Sequence, residues 1–242
     1  MNESLESFDH RFSLHQIQNH DLLAQIRGIA VDEDSEKLPV VQIDGVQGQN
    51  HSLMRVEHPV QLKLEGTLGD YAFAFNDQTD VRMTGNVGHG VGDGMKSGAV
   101  KIRGNAGDGA GCSMTGGTLA IYGSAGDRCG AAMRGGGIFV RGDVGDETAI
   151  GALGGTIVIG GDAGANLGDA ASNVTIFIRG QAKSLANGVT EAPLRQREQL
   201  RLGLLLINAS IRGEAKDFRR VVPKAMFEAE QNKTGELNPN WR

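Results

Sequence analysis

The chain has 242 residues, enough for one or two domains with a sizeable core. A formal net charge of −5 gives no basic footprint for nucleic acid or an anionic membrane, and no apolar run approaches the roughly 18 residues of a spanning helix. Two cysteines cannot build a disulfide framework and the start MNESLESFDHRF is not a secretory signal, so the chain reads as a soluble, cytoplasmic protein.

In chain order, a strand is predicted within Phe12–Ile17. A short helix follows from Asn19 to Arg27, capped by Asn19 and stopped by Gly28. The segment VVQIDG, ending at Gly45, reads as an imperfect first coil of what comes next.

Glycine supplies 37 residues, roughly twice the usual share, and 30 of them lie between Gly66 and Gly180. Their order excludes a shapeless low-complexity tract. A short apolar alternation ending in glycine recurs as LKLEG, VRMTG, VKIRG, LAIYG, IFVRG, IVIGG and IFIRG, closing at Gly66, Gly85, Gly104, Gly123, Gly142, Gly161 and Gly180. Every interval is 19 residues.

Four and two residues before each glycine stand apolar pairs such as Leu62/Leu64, Val100/Ile102 and Ile138/Val140, the period of a half-buried strand. One residue after it comes a polar turn column of Thr67, Asn86, Asn105, Ser124, Asp143, Asp162 and Gln181. Nineteen residues without helical periodicity suit one coil of a solenoid whose coils stack at strand spacing. All five prolines lie outside the repeats, as ladder hydrogen bonds require.

The fold class is therefore an all-β solenoid, a single-stranded right-handed parallel β-helix with 19-residue coils and short helical segments at both ends. Its parts are an N-terminal strand and helix cap over 1–42, a β-helix of about eight coils over 43–188, and a C-terminal helical cap and tail over 189–242. In the last part Leu194, Leu200, Leu204, Leu205 and Ile207 repeat at helical spacing after Pro193. A further short element is expected within Asp217–Glu230, and the final NKTGELNPNWR reads as a tail that a partner orders.

The search for chemistry is mostly negative, and no catalytic, cofactor-binding or metal-ligating residue is assigned. Gly88-His-Gly90-Val-Gly92 and Gly107-Asp-Gly109-Ala-Gly111 follow strands, but a further coil and not a phosphate-binding helix comes after them. Asp70, Asp108, Asp127 and Asp146 share a column that includes His89; it suits either a hard cation or a solvated turn edge. Cys112 and Cys129 fall on adjacent coils without further zinc-ligand spacing, and Cys129 shares a column with Val91, Ala110 and Leu167, as a packed thiol would. His10, His15, His20, His51 and His58 precede the regular coils and suit solvated or capping roles.

One column points outward. Residues three before each key glycine are Lys63, Arg82, Lys101, Ala120, Phe139, Val158 and Phe177. Left bare, Ala120, Phe139, Val158 and Phe177 form an apolar patch, which either the C-terminal helix or another subunit must cover; they are the candidate partner-docking surface.

The pattern GNVGxGVGDGMxSGxVxIRGNAGDxAGxxMxGGxLxIxG at Gly85–Gly123 resembles the GXGXG-motif β-helix family. That family includes the C-terminal domain of glutamate synthase large subunits. It also includes stand-alone relatives in N-methylglutamate synthase and in formylmethanofuran dehydrogenase, where the β-helix is a separate subunit. The resemblance spans about Ile43–Asn187, with Val46–Asn50 and Gly66–Tyr71 resembling the glutamate synthase side. It implies a non-catalytic structural subunit of a glutamate-synthase-like complex forming glutamate or N-methylglutamate. Its partners would be amidotransferase-type and flavin-binding synthase subunits, with FMN and iron–sulfur centres carried by those partners and none in this chain. The start Met1-Asn2 lacks the N-terminal cysteine nucleophile of the family's amidotransferase domain, and no cysteine cluster suits an iron–sulfur centre. One alternative is the β-helix subunit of a formylmethanofuran dehydrogenase or formyltransferase/hydrolase-type one-carbon complex. Another is an independent solenoid that binds a ligand or assembles with itself as a homo-oligomer.

Overall fold

The computed structural model describes residues 8–32, 34, 35, 37–209 and 211–232; the expected tail from 233 onward lies outside them. Strands β1 (His10–Ser13) and β2 (Val40–Gln47) flank helix α1 (Asn19–Arg27). The repeats then supply β3 (Gln61–Thr67), β4 (Asp80–Thr84), β5 (Ala99–Arg103), β6 (Thr118–Ile121), β7 (Gly137–Val140), β8 (Thr156–Ile159) and β9 (Thr175–Ile178). After these come β10 (Val189–Ala192), α2 (Gln196–Asn208), one 3₁₀ turn (Ala215–Asp217), β11 (Arg219–Pro223) and α3 (Lys224–Asn232).

The repeats form a right-handed parallel β-solenoid of about seven turns with 19-residue coils. From β3 onward each strand pairs in parallel with the next in constant register, as in Leu62↔Val81, Val81↔Val100 and Val100↔Leu119. The first coil is longer: Val40 faces Gln61, and a bulge between Ile43 and Val46 absorbs one residue before Val46 meets Gly66. Past the key glycines a second, narrower ladder joins Leu68, Val87, Ala106, Ala125, Val144, Ala163 and Ala182 in sequence.

Constant register makes each inward position a continuous column. Leu62, Val100, Ile138 and Ile176 are fully buried, as are Met95, Met114 and Met133 on the opposite wall. Together with Cys129 and Leu167 they form one apolar core along the solenoid.

Between the two walls the chain passes through alternate left-handed residues. In the third coil these are Gly90, Gly92 and Gly94, at φ of 66°, 65° and 64°. The equivalent residues one coil earlier are Tyr71, Phe73 and Phe75, at φ of 57°, 57° and 58°, a conformation that costs about 1–2 kcal/mol per residue with a side chain. Phe73 is fully buried in the core. The rings of Tyr71 and Phe75 lie against Gly90 and Gly94, where an added β-carbon would approach them to 2.7 Å and 2.6 Å. The GXGXG pattern thus marks both a required backbone conformation and a shelf for the preceding coil's aromatics.

Both ends of the stack are covered. The N-terminal strand is shorter than expected, ending at Ser13, and pairs in parallel with β2. Helix α1 spans the expected residues and buries Leu22 and Ile26 in the solenoid core. Its N-cap is Gln18 and not Asn19. Asn19 instead accepts from the Leu53 N–H at 2.9 Å and donates to the His51 carbonyl at 3.2 Å, fastening the helix to the first coil.

At the other end β11 returns antiparallel and inserts between β9 and β10, giving the sheet order β8-β9-β11-β10. The reversal ends the parallel register that an added coil would need. Among the described residues no helix is long and apolar enough to cross a membrane.

Val140 is fully buried in the middle of this core. Replacing it with aspartate places an uncompensated charge there, and the expected loss is about 3–5 kcal/mol. A urea transition for Val140→Asp that matches the parent would overturn the assignment of inward columns.

Candidate interaction surface

The outward column changes chemistry where its environment changes. Arg82 is exposed and Lys63 and Lys101 are half-buried, whereas Ala120, Phe139, Val158 and Phe177 are all at most 5% exposed. The last four are covered by the chain's own C-terminal segment. They form a second apolar layer with Leu202 and Leu206 of α2 and with Ala209, Ile211 and Phe218. The docking surface expected at these four residues is therefore not open to a partner in this arrangement. Thirteen residues of α2 span about 20 Å, ample for four strands spaced about 4.8 Å apart.

The face that α2 presents to the sheet differs from the one expected. Leu202 and Leu206 point inward and Leu205 is half-buried, while Leu200, Leu204 and Ile207 are 74%, 66% and 75% exposed. The cause is a buried ion cluster. Arg220 of β11 is 1% exposed and pairs bidentately with Glu230 of α3, at 2.6 Å and 3.0 Å. Its Nε lies 2.9 Å from Oε1 of Glu198, out of line for a hydrogen bond but within ion-pair range.

Glu198 is 4% exposed and also takes Arg195 at 3.0 Å, which reaches Glu230 at 3.3 Å. A carboxylate so buried must meet its cation. Glu198 therefore turns the 198/202/206 stripe inward, and residues 200, 204 and 207 fall on the outer side. That side also carries exposed Arg197 and Arg201. The helix's sole carboxylate is the buried Glu198, so the outer stripe is apolar with a cationic margin.

The Asp column serves the backbone. Oδ1 of Asp108 accepts the Asp127 N–H of the next coil at 2.9 Å, Asp127 accepts from Asp146 at 2.8 Å, and Asp146 from Ala165 at 2.7 Å. Asp70 accepts from His89 at 2.8 Å, and Nδ1 of His89 accepts from Asp108 at 2.9 Å. A parallel ladder climbs through Asn86, Asn105, Ser124, Asp143 and Asp162 to the Gln181 N–H. Among the described residues no group of three His, Cys, Asp or Glu side chains is placed to hold a metal.

The thiols are tuned away from reactivity. Cys129 is fully buried, and desolvation pushes its pKa up to about 12. Burial, and then the neighbouring Asp93 charge, raise that of Cys112. A nucleophilic cysteine needs the opposite shift. The histidines are dispersed: His51 stacks on Tyr71, and His58 Nε2 lies 2.8 Å from the Ile29 carbonyl. Among the described residues none of these groups pairs a nucleophile with a base.

The chain matches no protein-family model and no curated protein. The exposed stripe of α2 was not separable from the rest of LGLLLIN in the sequence, because apolar groups occupy every side of that turn.

A β-carbon on Gly145 would lie 2.1 Å from Asp127 Oδ1, so Gly145→Ala is expected to cost about 1–3 kcal/mol. Because Oδ1 causes part of that clash, Asp127→Ala and Gly145→Ala should be less than additive in urea unfolding; full additivity would contradict the ladder. With iodoacetamide between pH 7 and 9, Cys129 should remain unmodified in the folded chain while Cys112 reacts increasingly as its thiolate forms. Both should react in urea. Modification of native Cys129, mapped by mass spectrometry, would contradict its burial.

Proposed function

We propose that the chain is a non-catalytic structural subunit of a glutamate-synthase-like multi-subunit enzyme, forming glutamate or N-methylglutamate. Amidotransferase-type and flavin-binding synthase subunits are its partners, and the FMN and iron–sulfur chemistry belongs to them. The observation that carries a subunit role is the outer stripe of α2. Three large aliphatic side chains at positions i, i+4 and i+7, each at least two-thirds exposed, are unfavourable in water and suited to burial against another chain. The arginines beside them fit a partner surface with an apolar centre and a carboxylate rim.

The choice of complex rests on the resemblance of Gly85–Gly123 and on its agreement with a GXGXG-bearing solenoid. A cytoplasmic location accompanies this reading.

Purification of the tagged chain from its own host, with mass spectrometry of what accompanies it, tests the proposal. The expected result is near-stoichiometric recovery of an amidotransferase-type protein and a flavoprotein. Recovery of formyltransferase or amidohydrolase partners would overturn it in favour of one-carbon chemistry, and a chain recovered alone would overturn the subunit role. Leu200→Glu with Leu204→Glu should reduce partner recovery at least tenfold while circular dichroism stays unchanged. Undiminished recovery would remove α2 from the interface.

A further inference from the structure

A cleft of about 470 Å³ lies where the C-terminal cap meets the solenoid, within the size range of small-molecule sites. One wall is the corner at which glycine pairs lead into β6, β7 and β8; the other is built by Arg201 and Leu205 of α2 and Met226 of α3. Arg134 stands on the coil side. These two arginines are the only charged residues in the lining, which contains no carboxylate among the described residues.

The remaining polar groups are mostly donors. The N–H groups of Gly117, Gly136 and Gly155 line the cleft and make no hydrogen bond among the described residues. They recur once per coil, about 4.8 Å apart. Thr118, Thr156 and Thr175 share one column with Gly137. Thr175 is 3% exposed, yet its hydroxyl makes no hydrogen bond among the described residues and lines the cleft. A buried polar group without a protein partner needs water or a ligand.

Gly137 opens the space. It interrupts the threonine column, and the Phe139 ring occupies the side where a β-carbon would come within 2.8 Å. Phe139, Leu205 and Met226 make an apolar side opposite the donors.

We propose that this cleft binds a small organic carboxylate, with its acid group held between Arg134, Arg201 and the glycine N–H column and its apolar body against Phe139, Leu205 and Met226. Guanidinium groups match a carboxylate in shape and charge, and backbone N–H groups in a row add fixed partial charge of the same sign. The apolar side favours an organic acid over an inorganic anion. Such a site does not depend on which enzyme complex the chain joins.

Calorimetric titration of the full chain with glutarate, citrate, 3-phenylpropionate and inorganic phosphate at constant ionic strength tests it. At least one organic acid should bind with Kd below about 1 mM and more tightly than phosphate. Arg134→Gln changes an exposed side chain and should weaken that binding at least tenfold. Gly137→Val should abolish it, provided the melting temperature shows the variant folded. Absence of binding by all three acids overturns the proposal, as does phosphate binding equal to theirs. Affinity unchanged in Arg134→Gln also overturns it, and this arm stands even where Gly137→Val does not fold.

Discussion

Every feature of this protein depends on one constraint: a residue and its equivalent 19 positions later must occupy the same place one strand spacing further along. The two corner ladders meet that constraint with side-chain chemistry. An Asn, Ser or Asp oxygen reaches the backbone N–H of the residue directly above it, as Asp143 does for Asp162 and Asp162 for Gln181. The oxygen then fills the volume in which the next coil's neighbouring residue would place a β-carbon. Gly161 and Gly180 would each bring that carbon to within 2.2 Å of such an oxygen. Polar acceptor and glycine are two halves of one contact, which is why they recur together. The ladder oxygens are consumed by the backbone, and this weighs against reading the aspartate column as a cation site.

The solenoid was legible because each repeat states the same constraint twice, in its inward apolar pair and in its corner. What lay outside the period was less legible for physical reasons. Arg219–Pro223 forms one strand with no repeat to align against, and its place between β9 and β10 is set by tertiary pairing. Asn19 precedes a helix and has a capping side chain, yet the first coil's backbone competes successfully for it. In α2 the apolar residues crowd every side, so periodicity cannot choose a face. The choice is made by Glu198, a residue that hydrophobic patterning assigns to solvent, because Arg220 is waiting beneath it.

That buried cluster has consequences beyond its own energy. An ion pair removed from water contributes little net stability, since desolvation offsets much of the attraction. Its effect here is directional. Arg220, Glu198 and Glu230 belong to β11, α2 and α3, so three elements are oriented by one set of contacts. The same rotation seals Ala120, Phe139, Val158 and Phe177 under Leu202 and Leu206 and turns Leu200, Leu204 and Ile207 outward. The apolar surface of the bare solenoid is thereby exchanged for an apolar stripe on the helix that covers it.

The exchange also separates two kinds of surface. A bare outward column on a sheet offers a flat, extensible face on which copies of the chain could pack without limit. A helix laid across it offers a narrow stripe of three residues with arginines at its margin, which selects a partner by shape and charge and has a defined end. Because β11 reverses the sheet direction and α1 plugs the opposite end, neither end of the stack presents a parallel strand for unlimited growth. Seating the cap across the glycine-paired corner leaves a cleft where the two layers meet, with donors from the coils and arginines on both walls. Interaction surface and cleft are consequences of the same cap placement, so both are anchored by the Arg220 cluster.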